Sequence, residues 1–202
     1  PGAIEPVGRP PVAQTFTTDD DNSDQGNRRA FTVVVNHFKS KGEACDTLDP
    51  PSPSDGQGNC NLTRVAQSEA LLDFVADLQE MSGDEDVLII GDLNSYAMED
   101  PITTLATGGF TDLIQSFNGP EAYGYLFDGQ LGTLDHALAS PTLLAQVRGV
   151  TEFHINADEP NLLDYDMTYK KPAQDALYEP LSYRASDHDP VVVGIKLVRQ
   201  DH

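Results

Sequence analysis

Apolar runs punctuated by turn residues divide the chain into alternating strands and helices. Val12-Ala13-Gln14-Thr15-Phe16-Thr17 predicts a short strand. Ala30 to Phe38, centred on Phe31-Thr32-Val33-Val34-Val35, predicts a stronger one, and residues 12–38 read as a hairpin. Leu71, Phe74, Val75, Leu78 and Met81 then recur at helical spacing, with Asn61 as N-cap and Gly83 as the stop. Asp86-Val87-Leu88-Ile89-Ile90 predicts a buried strand, and Glu99-Asp100-Pro101 opens a short helix through Leu105. Another unit starts at Gly108-Gly109-Phe110. Tyr123 to Phe127 predicts a strand, Asp128 to Gly132 a turn, and Thr133 to Ser140 the partner strand. Pro141 to Gln146 reads as a helical turn, Val147 to Ile155 as a strand, and Asp158 to Pro180 as a long polar loop. Val191 to Ile195 is a last buried strand. The alternation predicts an α/β fold in one domain over residues 1–202, with an irregular lead-in at 1–11 and no internal repeat.

Composition narrows what such a domain can bind. The formal net charge of -21 over 202 residues argues against a basic nucleic-acid-binding surface. It still permits an enzyme that grips phosphate through a metal ion and a few local cations, with salt relieving the repulsion of a polyanion. Most of the acids read as solvated surface. Asp19-Asp20-Asp21 is an acidic turn without the spacing of a calcium loop. Lys39 and Lys41 either attract phosphate or lie on a solvated face. No apolar run reaches the length of a membrane span. Cys45 and Cys60 bracket a stretch rich in Pro, Gly, Ser and Asp, which favours a bridge over two free thiols. Such a crosslink contributes roughly 3 kcal/mol on a chain-entropy view and belongs to an extracellular or periplasmic protein. A chain beginning at Pro1 is expected to be processed or truncated. Asn61-Leu62-Thr63 matches a glycosylation acceptor, although capping already explains Asn61.

Chemistry-bearing residues gather where apolar strands run out. His37 ends one strand, and Asp92 with Asn94 ends another at Gly91-Asp92-Leu93-Asn94. Strand ends are where α/β sheets commonly place ligands. Asp135 is an acid inside the apolar run Leu134 to Ala139, and a histidine is its natural partner. Ser186-Asp187-His188-Asp189-Pro190 stands at the mouth of the last strand, where folding alone asks for no such cluster.

Asn36-His37, Gly91-Asp92-Leu93-Asn94, Leu134-Asp135-His136 and Ser186-Asp187-His188-Asp189-Pro190 occur in the order found in the endonuclease/exonuclease/phosphatase superfamily, which the chain resembles. Asn36 to Lys41, Tyr125 to Gly129 and Arg184 to Pro190 are similar, more narrowly, to bacterial extracellular nucleases of that family. The resemblance runs from about Arg9 to Leu197. It implies part of a two-sheet α/β sandwich with outer helices, of the deoxyribonuclease I-like kind. It also implies a secreted, metal-dependent phosphodiesterase acting on DNA or RNA. His188 would be the general base or stabilise the charged phosphorane-like state, and Asp135 would orient it. Asp92 and Asn94 would position water and phosphate, and His37 would stabilise charge or protonate the leaving oxygen. Asp187 would help hold Mg²⁺ or Mn²⁺, with Ca²⁺ in a structural place. The family's N-terminal metal-binding Asn and Glu have no counterpart before His37, and Glu5 stands outside their context. The chain is therefore expected to be the C-terminal half of the domain, partnered by the absent half. A lone half would expose the inner face of its sheet. A phosphomonoesterase, a lipid-phosphate hydrolase and a non-catalytic module of the same fold are the other readings.

Overall fold

The structure, a computed structural model, describes residues 8–18, 29–42, 44, 45, 49, 56–163, 165–168 and 170–198. The acidic turn at Asp19-Asp20-Asp21, Glu5 and most of the lead-in lie outside the described residues. Strands β1 (Val12–Thr17) and β2 (Ala30–His37) form the expected antiparallel hairpin. Helix α1 (Asn61–Ser82) is the crossover from β2 to the parallel strand β3 (Val87–Asp92). Parallel neighbours need such a crossover, and it covers one face of the pair. Helix α2 (Asp100–Thr107) packs beside α1 and carries Pro101 in its first turn. Strand β4 (Thr111–Asp112) leads directly into α3 (Leu113–Asn118), which Asp112 caps through the amides of Ile114 and Gln115.

The next segment corrects the sequence reading. Strand β5 (Tyr125–Phe127) pairs with the short β6 (Gln130–Gly132) rather than with the segment 133–140. Strand β7 (Asp135–Ala139) instead enters the main sheet between β3 and β4, giving the order β1-β2-β3-β7-β4. Helix α4 (Pro141–Leu144) precedes β8 (Val147–Glu152), which ends three residues earlier than the pattern suggests. The polar excursion at 158–180 contains a 3₁₀ turn (Asn161–Leu163) and a short helix, α5 (Pro172–Asp175), before β9 (Val191–Ile195) pairs with β8.

Two cores lie on either side of the five-stranded sheet. Val34, Ile89 and Leu138 face α1 and α2, meeting Leu71, Val75, Ile102 and Leu105. Leu88, Ala137 and Ala139 face the β8–β9 hairpin and α4, meeting Leu143, Val147, Val191, Val193 and Ile195. That second layer reaches Phe31 on β2 and leaves part of the β1–β2 edge open. Val12, Phe16 and Val35 share the same face there and are 65, 49 and 46% exposed.

The N-terminus of α1 departs from expectation too. Its N-cap is Cys60, in the left-handed region at φ 66°, and not Asn61. The amides of Leu62 and Thr63 donate to the Asp49 carboxylate at 2.6 and 3.0 Å, and the Thr63 hydroxyl donates to it at 2.7 Å. A disulfide joins Cys45 to Cys60, as the composition of the intervening loop suggests. Asn61 is buried and donates to Asp100, which removes it as a glycosylation acceptor.

Candidate active site

Three of the singled-out residues fall in one lateral row of the sheet. His37 on β2 pairs in register with Asp92 on β3, which pairs with Asp135 on β7. All three project to the face of the sheet that carries the β8–β9 hairpin. The row behind it, Asn36, Gly91 and His136, projects the other way. Gly91 is required there: its φ is 125°, and a Cβ would stand 2.0 Å from the Asn36 carbonyl oxygen.

His188 completes the group from the segment before β9. Its Nδ1 donates to Asp135 Oδ2, which leaves Nε2 4.0 Å from Asp187 Oδ1. The Tyr125 ring lies 4.5 Å from the His188 ring, and a β-bridge joins the two backbones. Burial works against a charge on His188. The hydrogen bond and charge of Asp135, with Asp92 and Asp187 nearby, outweigh it and hold the imidazole above its ordinary pKa. Burial raises the Asp92 pKa, opposed by the Asn94 amide and reinforced by Asp135.

Asn94 adopts φ 47° and closes a tight turn. Its amide N–H donates to Asp92 Oδ1 at 2.8 Å, and its side-chain amide donates to Asp92 Oδ2 and to the Phe38 carbonyl, each at 3.1 Å. His37 Nε2 stands 3.6 Å from Asp92 Oδ2. Its Nδ1 is 2.5 Å from an Arg9 guanidinium nitrogen. A guanidinium only donates, so Nδ1 accepts and Nε2 carries the proton. Asp187 accepts from the Tyr165 hydroxyl at 3.4 Å. The chain thus brings His37, Asp92, Asn94, Asp135, Asp187 and His188 to one end of the sheet.

The supporting roles of several residues escaped the sequence reading. Arg9 carried no local signal beyond its neighbouring prolines. Asp189 is 1% exposed and accepts from the amides of Ile155, Asn156 and Ala157 and from His154 Nδ1. Burial disfavours its charge, yet these donors hold its carboxyl below the ordinary range. Asn156 donates to the His188 carbonyl at 2.7 Å. Together they fix the backbone that presents Asp187 and His188. Lys41 is a correction: it ion-pairs with Glu99 and sits over the Tyr96 ring, a structural role rather than a phosphate site.

The arrangement can hold a proton acceptor, an opposing proton donor and a carboxylate–amide pair around one small group. Among the described residues no cluster of three or more His, Cys, Asp or Glu is placed to hold a metal ion. Asp187 alone does not make a cation site.

The sequence profile of the Endonuclease/Exonuclease/phosphatase family matches residues 9–188. No curated protein sequence matches the chain significantly. Among solved structures, the chain is similar to the mannosyl-6-phosphatase of Bacteroides thetaiotaomicron VPI-5482 (TM-score 0.51, 14% identity, 93% of this chain and 66% of that chain). It is similar to an AP endonuclease from Archaeoglobus fulgidus (TM-score 0.50, 15% identity, 94% of this chain and 72% of that chain). It also matches the human Nocturnin catalytic domain, solved with bound sulfate (TM-score 0.44, 17% identity, 68% of this chain), and spans 42% of that chain's length. At these identities the likeness concerns the fold.

Proposed function

Because the chain belongs to the endonuclease/exonuclease/phosphatase family, we propose that it hydrolyses phosphodiester bonds of DNA, with RNA as a second substrate, in a metal-dependent reaction. The observation that carries this reading is the register row His37, Asp92, Asp135 with His188 hydrogen-bonded to its last member. Asp135 fixes the His188 tautomer, so Nε2 is the basic nitrogen that takes a proton from water. The Asp92–Asn94 turn positions that water and a phosphate oxygen. His37 Nε2–H faces the group from the β2 side, placed to donate to the leaving oxygen. Phosphoryl transfer needs mainly such positioning and neutralisation of charge.

Enzymes of this family generally work with divalent metal ions. The described donors do not make such a site by themselves. We assign Asp187 one ligand position for Mg²⁺ or Mn²⁺. The exposed strip of Val12, Phe16 and Val35 supports a further proposal, that the remaining half of the domain covers this face. The Cys45–Cys60 bridge supports an extracellular or periplasmic setting.

A second reading, hydrolysis of a small phosphomonoester or lipid phosphate, is favoured by the net charge of -21, which repels a polyanion. Plasmid DNA and an aryl phosphate, each assayed with Mg²⁺ and with a chelator, separate the two. His188→Ala is expected to lower kcat on the preferred substrate by about a hundredfold or more. A variant that cleaves as fast as the parent rules the assignment out.

A further inference from the structure

His136 lies directly behind the active row and is 1% exposed. It pairs with Gly91, and its side chain points to the opposite face of the sheet from Asp135. Its Nε2 is 2.8 Å from the Ser95 carbonyl oxygen, and its Nδ1 is 2.9 Å from Asp112 Oδ2. A carbonyl can only accept. The other oxygen of Asp112 accepts the Ile114 and Gln115 amides at the start of α3, a setting that favours the carboxylate. A ring that meets an acceptor at each nitrogen satisfies both only when both nitrogens carry protons.

Ser95 connects this ring to the site. It follows Asn94 directly, is fully buried, and its hydroxyl accepts from Arg64 Nε at 3.1 Å. Arg64 is itself fully buried, and also donates to the Lys39, Gln57 and Asn59 carbonyls. The turn that aims Asp92 and Asn94 is therefore held from beneath on two sides, by α1 through Arg64 and by β7 through His136. We propose that His136 is a buried imidazolium whose two N–H groups pin the Ser95 turn to the β4–α3 junction, making it a positioning residue for Asn94 and Asp92. The protonation state stands on geometry alone, and only the consequence for turnover rests on the proposed function.

The charged groups around the ring are Asp112 from β4 and, across Ser95, Arg64 from α1, with the Asp135 charge acting from the opposite face of the sheet. Burial opposes the charge, but the bond to Asp112, the Asp112 and Asp135 charges and the Ser95 carbonyl hold the pKa above the ordinary value. A raised histidine pKa means that the pinned state is complete at low pH and is lost as pH rises through the folded value.

The full protein, labelled with ¹⁵N-histidine, decides the first point by NMR, with the signal assigned by its loss in His136→Gln. Two protonated ring nitrogens at neutral pH are expected, and a single unprotonated one overturns the proposal. The Asn94 side-chain amide signals of uniformly ¹⁵N-labelled protein decide the second point without an activity assay. They are expected to shift together with those of His136 on the alkaline side, and independence overturns the positioning role. On an active substrate, the parent's kcat is expected to decline on the alkaline side as His136 loses its proton, and His136→Gln to lower kcat by about tenfold with little change in KM and to abolish that alkaline decline. A variant that keeps the parent's kcat and alkaline decline also overturns it. If no phosphoester is cleaved, the proposed function fails while both NMR readings still stand or fall alone.

Discussion

The Asp135–His188 pair sets the pH at which the proposed chemistry works. Its hydrogen bond fixes the tautomer, and its charge holds His188 protonated to higher pH than a free histidine. A general base must be neutral, so activity rises with pH through the raised folded value. Asp135→Asn removes the charge that raises it. The acid limb of the pH–rate profile is then expected to move to lower pH, while kcat falls on the order of a hundredfold as the imidazole loses its orientation. A profile whose acid limb stays at the parent position shows that another group governs it. Asp187 is the contrasting case, because removing it should weaken activity without moving this limb toward acid as far, its carboxylate being 4.0 Å from Nε2 rather than bonded to the ring.

Helix α1 shows how one element depends on groups far along the chain. Cys60, its N-cap, offers no side-chain acceptor, and the role passes to Asp49 across the disulfide-closed loop. Asp49→Ala is expected to cost about 1–2 kcal/mol by thermal or denaturant unfolding, since a cap is lost and donors are left near a buried position. Replacing both cysteines should cost about 3 kcal/mol more, given the 15-residue separation. Unchanged melting of Asp49→Ala would assign the helix start to other contacts. This dependence explains what was legible in the sequence and what was not. Val33 to Val35 and Leu88 to Ile90 announce their strands because each run is locally apolar, and His37, Asp92 and Asp135 stand out as polar interruptions of such runs. Asn61 looked like a cap because capping was judged from local residue type. Residues 130–132 read as turn because three residues show no periodicity, and the partner of β5 is therefore displaced to 133–140 in the sequence pattern. Arg9 on His37 has no local signature, and the Ser186 to Pro190 motif names Asp189 without the amides it gathers from 32–34 residues away.

At the scale of the whole molecule, charge and site make opposite demands. The proposed substrate is a polyanion, yet the chain carries 33 acids against 12 Lys and Arg. Near the site the Arg9 guanidinium on His37 offsets this only locally, while Lys41 is committed to Glu99 and Arg64 lies inside the fold. Approach of DNA is then opposed by the long-range field, while chemistry at the row is governed by short contacts. Salt distinguishes these ranges, since the Debye length falls from about 30 Å at 0.01 M to about 10 Å at 0.1 M. Over that interval KM for DNA is expected to fall and kcat to stay nearly constant, the reverse of the weakening by salt seen where basic surfaces bind DNA. A small aryl phosphate, with little charge to repel, should show nearly no change in KM. Steady-state assays of both substrates at fixed metal concentration test this. A KM for DNA that rises with salt would point to a basic surface outside the described residues and would remove acidity as an argument for a smaller substrate.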